Sequence, residues 1–91
     1  MTMAQAVYTL SNTTATEVVS PSVEPQFVTM HNMTKSSNEY VHYGNASVTL
    51  ANSPHLDPGE TLSLTLLSGE SLHAMSDPDG LDLGVLVQKQ N

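Results

Sequence analysis

Apolar and hydroxyl-bearing residues alternate with a period of two over much of the chain, the spacing of a strand with one face buried. Thr61-Leu62-Ser63-Leu64-Thr65-Leu66 shows it most clearly, with three leucines on one side and hydroxyls on the other. Ser47-Val48-Thr49-Leu50 repeats it, and Ser71-Leu72-His73-Ala74 does so over a shorter span. Leu83, Val85 and Val87 share a face near the C-terminus, with Leu86 opposing them. Gln26 to Met33 and Glu39 to Tyr43 read as two further strands, and Ala4 to Leu10 as a weaker one. No ten-residue segment has helical periodicity.

Turn residues separate these runs. Asp57-Pro58-Gly59-Glu60 sets proline where φ near −65° is wanted and glycine where φ must be positive, as in a type II turn. Ser68-Gly69-Glu70 reads as a tight link between adjacent strands, Tyr43-Gly44-Asn45 as another, and residues 34–38 as a polar hairpin loop. Asp77-Pro78-Asp79-Gly80 closes the next strand. Six to eight short strands at this spacing predict an all-β fold: a small antiparallel β-sandwich or barrel, jelly-roll-like. Residues 11–25 differ, with a polar stretch over 11–16 and prolines at 21 and 25. They read as a surface loop or edge strand or, taken as residues 1–25, as an extended N-terminal arm that pairs with a neighbouring subunit. The division expected is therefore 1–25, arm or edge strand, and 26–91, the sandwich.

Composition narrows the role. Nine acidic residues face two lysines, a formal net charge of −7, which disfavours a nucleic-acid partner or an anionic membrane surface. Cysteine is absent, removing disulfides, thiolate metal sites and thiol nucleophiles from this chain. No apolar run approaches the ~20 residues that span a bilayer. The start, Met1-Thr2-Met3-Ala4-Gln5, lacks the basic cluster and apolar run of a cleaved signal peptide, so folding in a cytoplasm is expected. Ser and Thr total 21 of 91 residues, so hydroxyls rather than charges coat the surface. A chain this short buries about 60–65% of its unfolded surface, which leaves little room for a large internal site and favours association.

Candidate chemistry is sparse. His31, His42 and His73 fall on expected strands, and His42 and His73 approach each other if strands 39–43 and 71–75 pair. Two histidines without a third ligand make a poor zinc site. No nucleophile elbow of the form Gly-x-Ser-x-Gly occurs, and no enzymatic activity is expected. The acidic turn is the most specific cluster: Asp77, Asp79 and Asp82 either converge on a hard cation such as calcium or form a solvated loop whose aspartates cap the turn. No other cofactor is implied. Three sequons occur, at Asn12, Asn32 and Asn45; one or two are expected by chance in so Asn-, Ser- and Thr-rich a chain, and without a signal peptide they are read as unused.

The stretch from Val28 to Val87 resembles small virion proteins of tailed bacteriophages. The matching residues are Met30-His31-Asn32, Tyr40-Val41-His42-Tyr43-Gly44, Val48-Thr49, Leu56-Asp57-Pro58-Gly59-Glu60, Gly69-Glu70-Ser71-Leu72-His73-Ala74 and Val85-Leu86-Val87. The resemblance implies a β-sandwich on the virion. The leading expectation is a decoration (cement) subunit that binds and stabilises the major capsid protein lattice, as a homodimer or trimer on the capsid surface. The alternative is a tail-fibre, spike or baseplate module that holds a receptor glycan or a neighbouring fibre subunit. Val18, Val19 and Val23 in the N-terminal segment, with Phe27, Tyr40 and Tyr43, are the expected partner contacts. Tyr40 and Tyr43 lie on opposite faces of a regular strand, which argues against one shared stacking platform.

Overall fold

The computed structural model describes residues 2–89 and contains eight strands: β1 (Thr2–Thr9), β2 (Thr16–Val19), β3 (Gln26–Asn32), β4 (Tyr40–Gly44), β5 (His55–Leu56), β6 (Thr61–Leu66), β7 (Leu72–Asp77) and β8 (Asp82–Lys89). They form two antiparallel sheets, in the orders β1-β8-β3-β6 and β2-β7-β4-β5. The described residues contain no helix.

The pairings are nested. β1 takes β8, β2 takes β7, β3 takes β6 and β4 takes β5. The chain is thus one long antiparallel ribbon folded at residues 45–54. Winding that ribbon brings β8 against β3 and β7 against β4. Only β4 and β5 follow one another within a sheet among the described strands; every other step crosses to the opposite sheet. Eight antiparallel strands connected this way make a jelly roll, so the all-β sandwich expected from the alternation is the fold.

Crossing corrects two local expectations. Residues 34–38 and 68–70 are not hairpin links between neighbours but bridges between sheets, and residues 77–80, which close β7 as expected, also lead into the opposite sheet. Their turn chemistry is as expected: Gly59, Gly69 and Gly80 have φ of 76°, 83° and 86°, values that glycine adopts without a Cβ clash. The Glu60 N–H donates to the Asp57 carbonyl at 3.0 Å and the Glu70 N–H to the Leu67 carbonyl at 3.0 Å. Turn residues reverse a chain; they do not specify which sheet receives the next strand.

Inward phases meet between the sheets. Val28 and Met30 of β3, Leu83 and Val85 of β8, Val41, Leu56, Leu72 and Ala74 form the core together with Leu10, Val18, Val19 and Leu66. Leu62 and Leu64 lean on it, while Thr61, Ser63 and Thr65 face solvent. Two adjacent valines, Val18 and Val19, are both buried because the β2–β7 register shifts between Glu17 and Val19, an irregularity that turns both toward the core.

Residues 47–50 are not a strand. Asn45 Oδ1 accepts the Ser47 N–H at 2.8 Å, and Asn52 Oδ1 accepts the Thr49 N–H at 3.1 Å and its hydroxyl at 2.6 Å. Side-chain amides capture the main-chain groups that a ladder would need. Residues 1–25, expected as an arm or edge strand, supply one edge strand to each sheet, β1 and β2, instead of an arm reaching away from the domain.

Ser76 points into the core beside Val41, and its buried Oγ has no hydrogen-bond partner among the described residues. An unmatched buried hydroxyl carries its desolvation cost uncompensated. Ser76→Ala is expected to raise stability by about 1 kcal/mol, read as a higher denaturation midpoint; a lower midpoint would show that the hydroxyl is used.

Candidate interaction surface

The two outer faces differ. On the second sheet, Tyr40, His42 and Gly44 point outward from β4. The segment 45–54 folds back over them. The His42 Nδ1 lies 3.3 Å from the Ser53 carbonyl oxygen. A Cβ on Gly44 would sit 3.7 Å from the buried Val48 side chain. His55, paired with His42, stacks against it with centroids 5.4 Å apart and meets Tyr40 edge-on at 4.8 Å. This face is largely closed by the chain itself.

The outer face of the first sheet has no such cover. Its cross-strand rows run Val7, Gly84, His31, Thr61; then Gln5, Leu86, Thr29, Ser63; then Met3, Gln88, Phe27, Thr65. Met33 follows at the end of β3, held by its N–H to the Asp82 carbonyl at 3.2 Å. Met3, Val7, Phe27 and Met33 are 59%, 58%, 43% and 44% exposed, which singles out this face because burial is the usual fate of such side chains. Gly84 leaves a gap among them, an open hollow of about 360 Å³ walled by Val7, His31, Met33 and Leu86. None of the nine acidic residues stands in these rows; Asp82 lies just beyond them, paired with Thr9, whose hydroxyl it accepts at 2.8 Å. The result is a flat, almost uncharged apolar surface on a strongly acidic domain, the kind of patch that marks an interaction site.

The expected contact residues fall in three places. Val18 and Val19 lie in the core, 3% and 4% exposed, and are not available to a partner; the register shift that buries both is invisible in the sequence. Val23 stands exposed in the β2–β3 connection, away from other apolar groups of the face, whereas Phe27 belongs to it. Tyr43 packs on the core and Tyr40 on the opposite side of β4, so the parity argument against a shared platform holds. Met3, Val7 and Met33 were missed. Their signal was the outward phase of β1 and β3, which carries apolar residues where Ser and Thr would suffice.

The acidic turn does not gather its carboxylates. Asp79 Oδ1 accepts the Asn12 N–H at 2.9 Å while Asp82 is held by Thr9, and the Asp77–Pro78 peptide is cis. Among the described residues no group of three or more His, Asp or Glu side chains is placed to hold a metal ion, which corrects the calcium expectation for Asp77, Asp79 and Asp82. Strands 39–43 and 71–75 do pair, but His42 stands opposite Met75 and His73 opposite Gly44. His73 turns instead to Ser71 Oγ at 3.0 Å and Glu17 at 3.9 Å. The Asn32 sequon is internal: Asn32 is fully buried.

No known protein family matches the sequence, and no curated protein matches it. Solved structures do share the architecture. A chain of the disulfide-linked pili that form Bacillus endospore appendages superposes with a TM-score of 0.62 at 9% identity, covering 99% of this chain and 87% of that one. A de novo designed double-stranded β-helix gives 0.51 at 8% identity, covering 99% and 100%. At such identities the likeness is one of fold.

Proposed function

We propose that the chain is a structural subunit of a surface assembly, seated on its neighbour through the outer face of the first sheet, and that its role is adhesion rather than turnover. The observation that carries this reading is that face: four exposed apolar side chains, two of them (Val7 and Met33) at the wall of a shallow hollow, with the acidic residues kept off it. Within this class, the likeness of Val28 to Val87 to small phage virion proteins supports a decoration subunit on a capsid lattice, made in the host cytoplasm and displayed on the virion. Many weak seats on a repeating lattice add up through avidity, which suits a domain too small to offer a large interface. The fold shared with a pilus chain favours a second reading, a module of a fibre or appendage. This chain has no cysteine, so either assembly would be held without disulfides.

Co-sedimentation with shells assembled from major capsid protein tests the reading. Phe27→Asp with Met33→Asp is expected to lower shell occupancy at least tenfold, because each change buries a charge in the contact. Melting should stay within a few degrees of the parent, since exposed substitutions cost about 0.5 kcal/mol or less. Full occupancy by the double variant would remove this face from the role. Absence of binding by the parent chain, with ordered filaments instead, would favour the fibre reading.

A further inference from the structure

We infer that two copies of this chain join edge to edge through β1, antiparallel about a two-fold axis at Gln5, merging their first sheets into one continuous eight-stranded sheet. This goes beyond the adhesive role proposed above and stands whatever that face binds.

Free sheet edges are normally blunted by charge, proline, bulges or shortness. The second sheet follows that rule: β2 has four residues and a register shift, and β5 has two. β1 does not. It runs eight residues, Thr2–Thr9, in unbroken register with β8, and contains no charge and no proline. Residues 3–7 are all exposed, including the inward-facing Ala4 and Ala6.

Hydrogen-bond parity shows which groups are free. The Leu10 N–H donates to the Leu81 carbonyl in the same register as the β1–β8 pairs. Antiparallel ladders alternate, so even-numbered residues of β1 bond to β8. The main-chain groups of Met3, Gln5 and Val7 therefore point to the open edge. Centring a two-fold on Gln5 makes all three of these residues hydrogen-bonded partners: Gln5 meets the second Gln5, and Met3 meets the second Val7, twice. The two most exposed apolar side chains of β1 are thus each other's complement, on the same outer face. Ala4 opposes Ala6 on the inner side, where small residues leave no clash. Charge agrees as well. Lys89 stands at the Thr2 end of β1 and Asp82 at the Thr9 end, so the antiparallel arrangement sets the basic end of one sheet alongside the acidic end of the other. The two-fold also makes the contact self-limiting, an isologous dimer rather than a chain of copies.

Three substitutions in the full chain test this. Sedimentation velocity at micromolar to hundred-micromolar concentration should show a two-chain mass for the parent. Gln5→Pro removes an N–H that the monomer does not use, a position where an edge strand tolerates proline; it should give a one-chain mass with an unchanged circular dichroism spectrum. Gln5→Cys introduces a lone thiol, and a hydrogen-bonded pair with Cα atoms about 5.5 Å apart lies within disulfide reach. Mild oxidation should convert it to covalent dimer at least tenfold faster than Met3→Cys, whose counterpart lies far from the axis. A parent that stays single throughout, open-ended polymers, a two-chain Gln5→Pro, or equal cross-linking at positions 3 and 5 would each overturn the inference.

Discussion

Met30→Ala will destabilise the domain by about 3–4 kcal/mol, the scale of a large aliphatic or thioether side chain removed from a core that cannot fully collapse. Met30 is wholly buried at the middle of β3, between Leu62 of β6 and Val85 of β8. Two sheets of paired strands hold their separation more stiffly than a loop would, so the vacated volume stays open. For a domain of this size, about 1 kcal/mol corresponds to roughly 4–8 °C in Tm, so a fall of about 12–32 °C is expected. Urea unfolding should show the loss in the midpoint with an unchanged slope. Thr29→Ala, one residue away but facing outward, is the control and should stay within about 0.5 kcal/mol. Similar losses at both positions would contradict the assignment of faces on β3.

Asn32→Ala is expected to cost about 3 kcal/mol, by a different route. The side chain is buried with all its hydrogen-bonding capacity in use. Its Nδ2 donates to the carbonyls of Glu39 at 3.0 Å and Leu56 at 3.1 Å. Its Oδ1 accepts the Thr34 N–H at 3.2 Å and hydroxyl at 2.8 Å. Its main chain completes the site, donating to the Glu60 carbonyl at 3.0 Å and accepting from Gly59 at 3.1 Å. One residue thereby ties the end of β3 to the crossing segment, to β5 in the other sheet and to the turn leading into β6. Alanine leaves the buried Leu56 carbonyl without this donor, and each orphaned buried group costs about 1–3 kcal/mol. Asn32→Asp is expected to be no milder, because an ionised carboxylate cannot donate to either carbonyl. Amide exchange supplies the local reading: the Thr34 N–H should lose its protection in Asn32→Ala, which removes its acceptor, and keep more of it in Asn32→Asp, whose carboxylate still accepts. Full stability of Asn32→Ala would mean that the crossing is held elsewhere.

Some of this architecture can be read from the residues and some cannot. The inward leucines of β6, the shared face of Leu83 and Val85, and the opposite faces of Tyr40 and Tyr43 all follow from a period of two. The type II turn follows from Pro58 and Gly59. Which sheet each strand joins does not follow, because alternation is a local property and the crossing of 34–38 and 68–70 is decided by closure of the whole ribbon. Ser47 to Leu50 alternates as well as β6 does. Asn45 and Asn52 divert it into turns, with Val48 buried over the second sheet's outer side and not in the core. The apolar surface was half legible: Leu86 already opposed its neighbours, and Phe27 was a contact candidate. Met3, Val7 and Met33 join them only once β1, β8 and β3 are set side by side.

The nesting of pairs has a consequence for how the polypeptide is made. β1 precedes its partner β8 by six strands, so while those are made an uncharged, proline-free segment waits without that partner beside it. Non-local closure of this kind is slow, and nascent chains on one message run close together. Through that interval the strand is open to a sister chain before it has met its own partner.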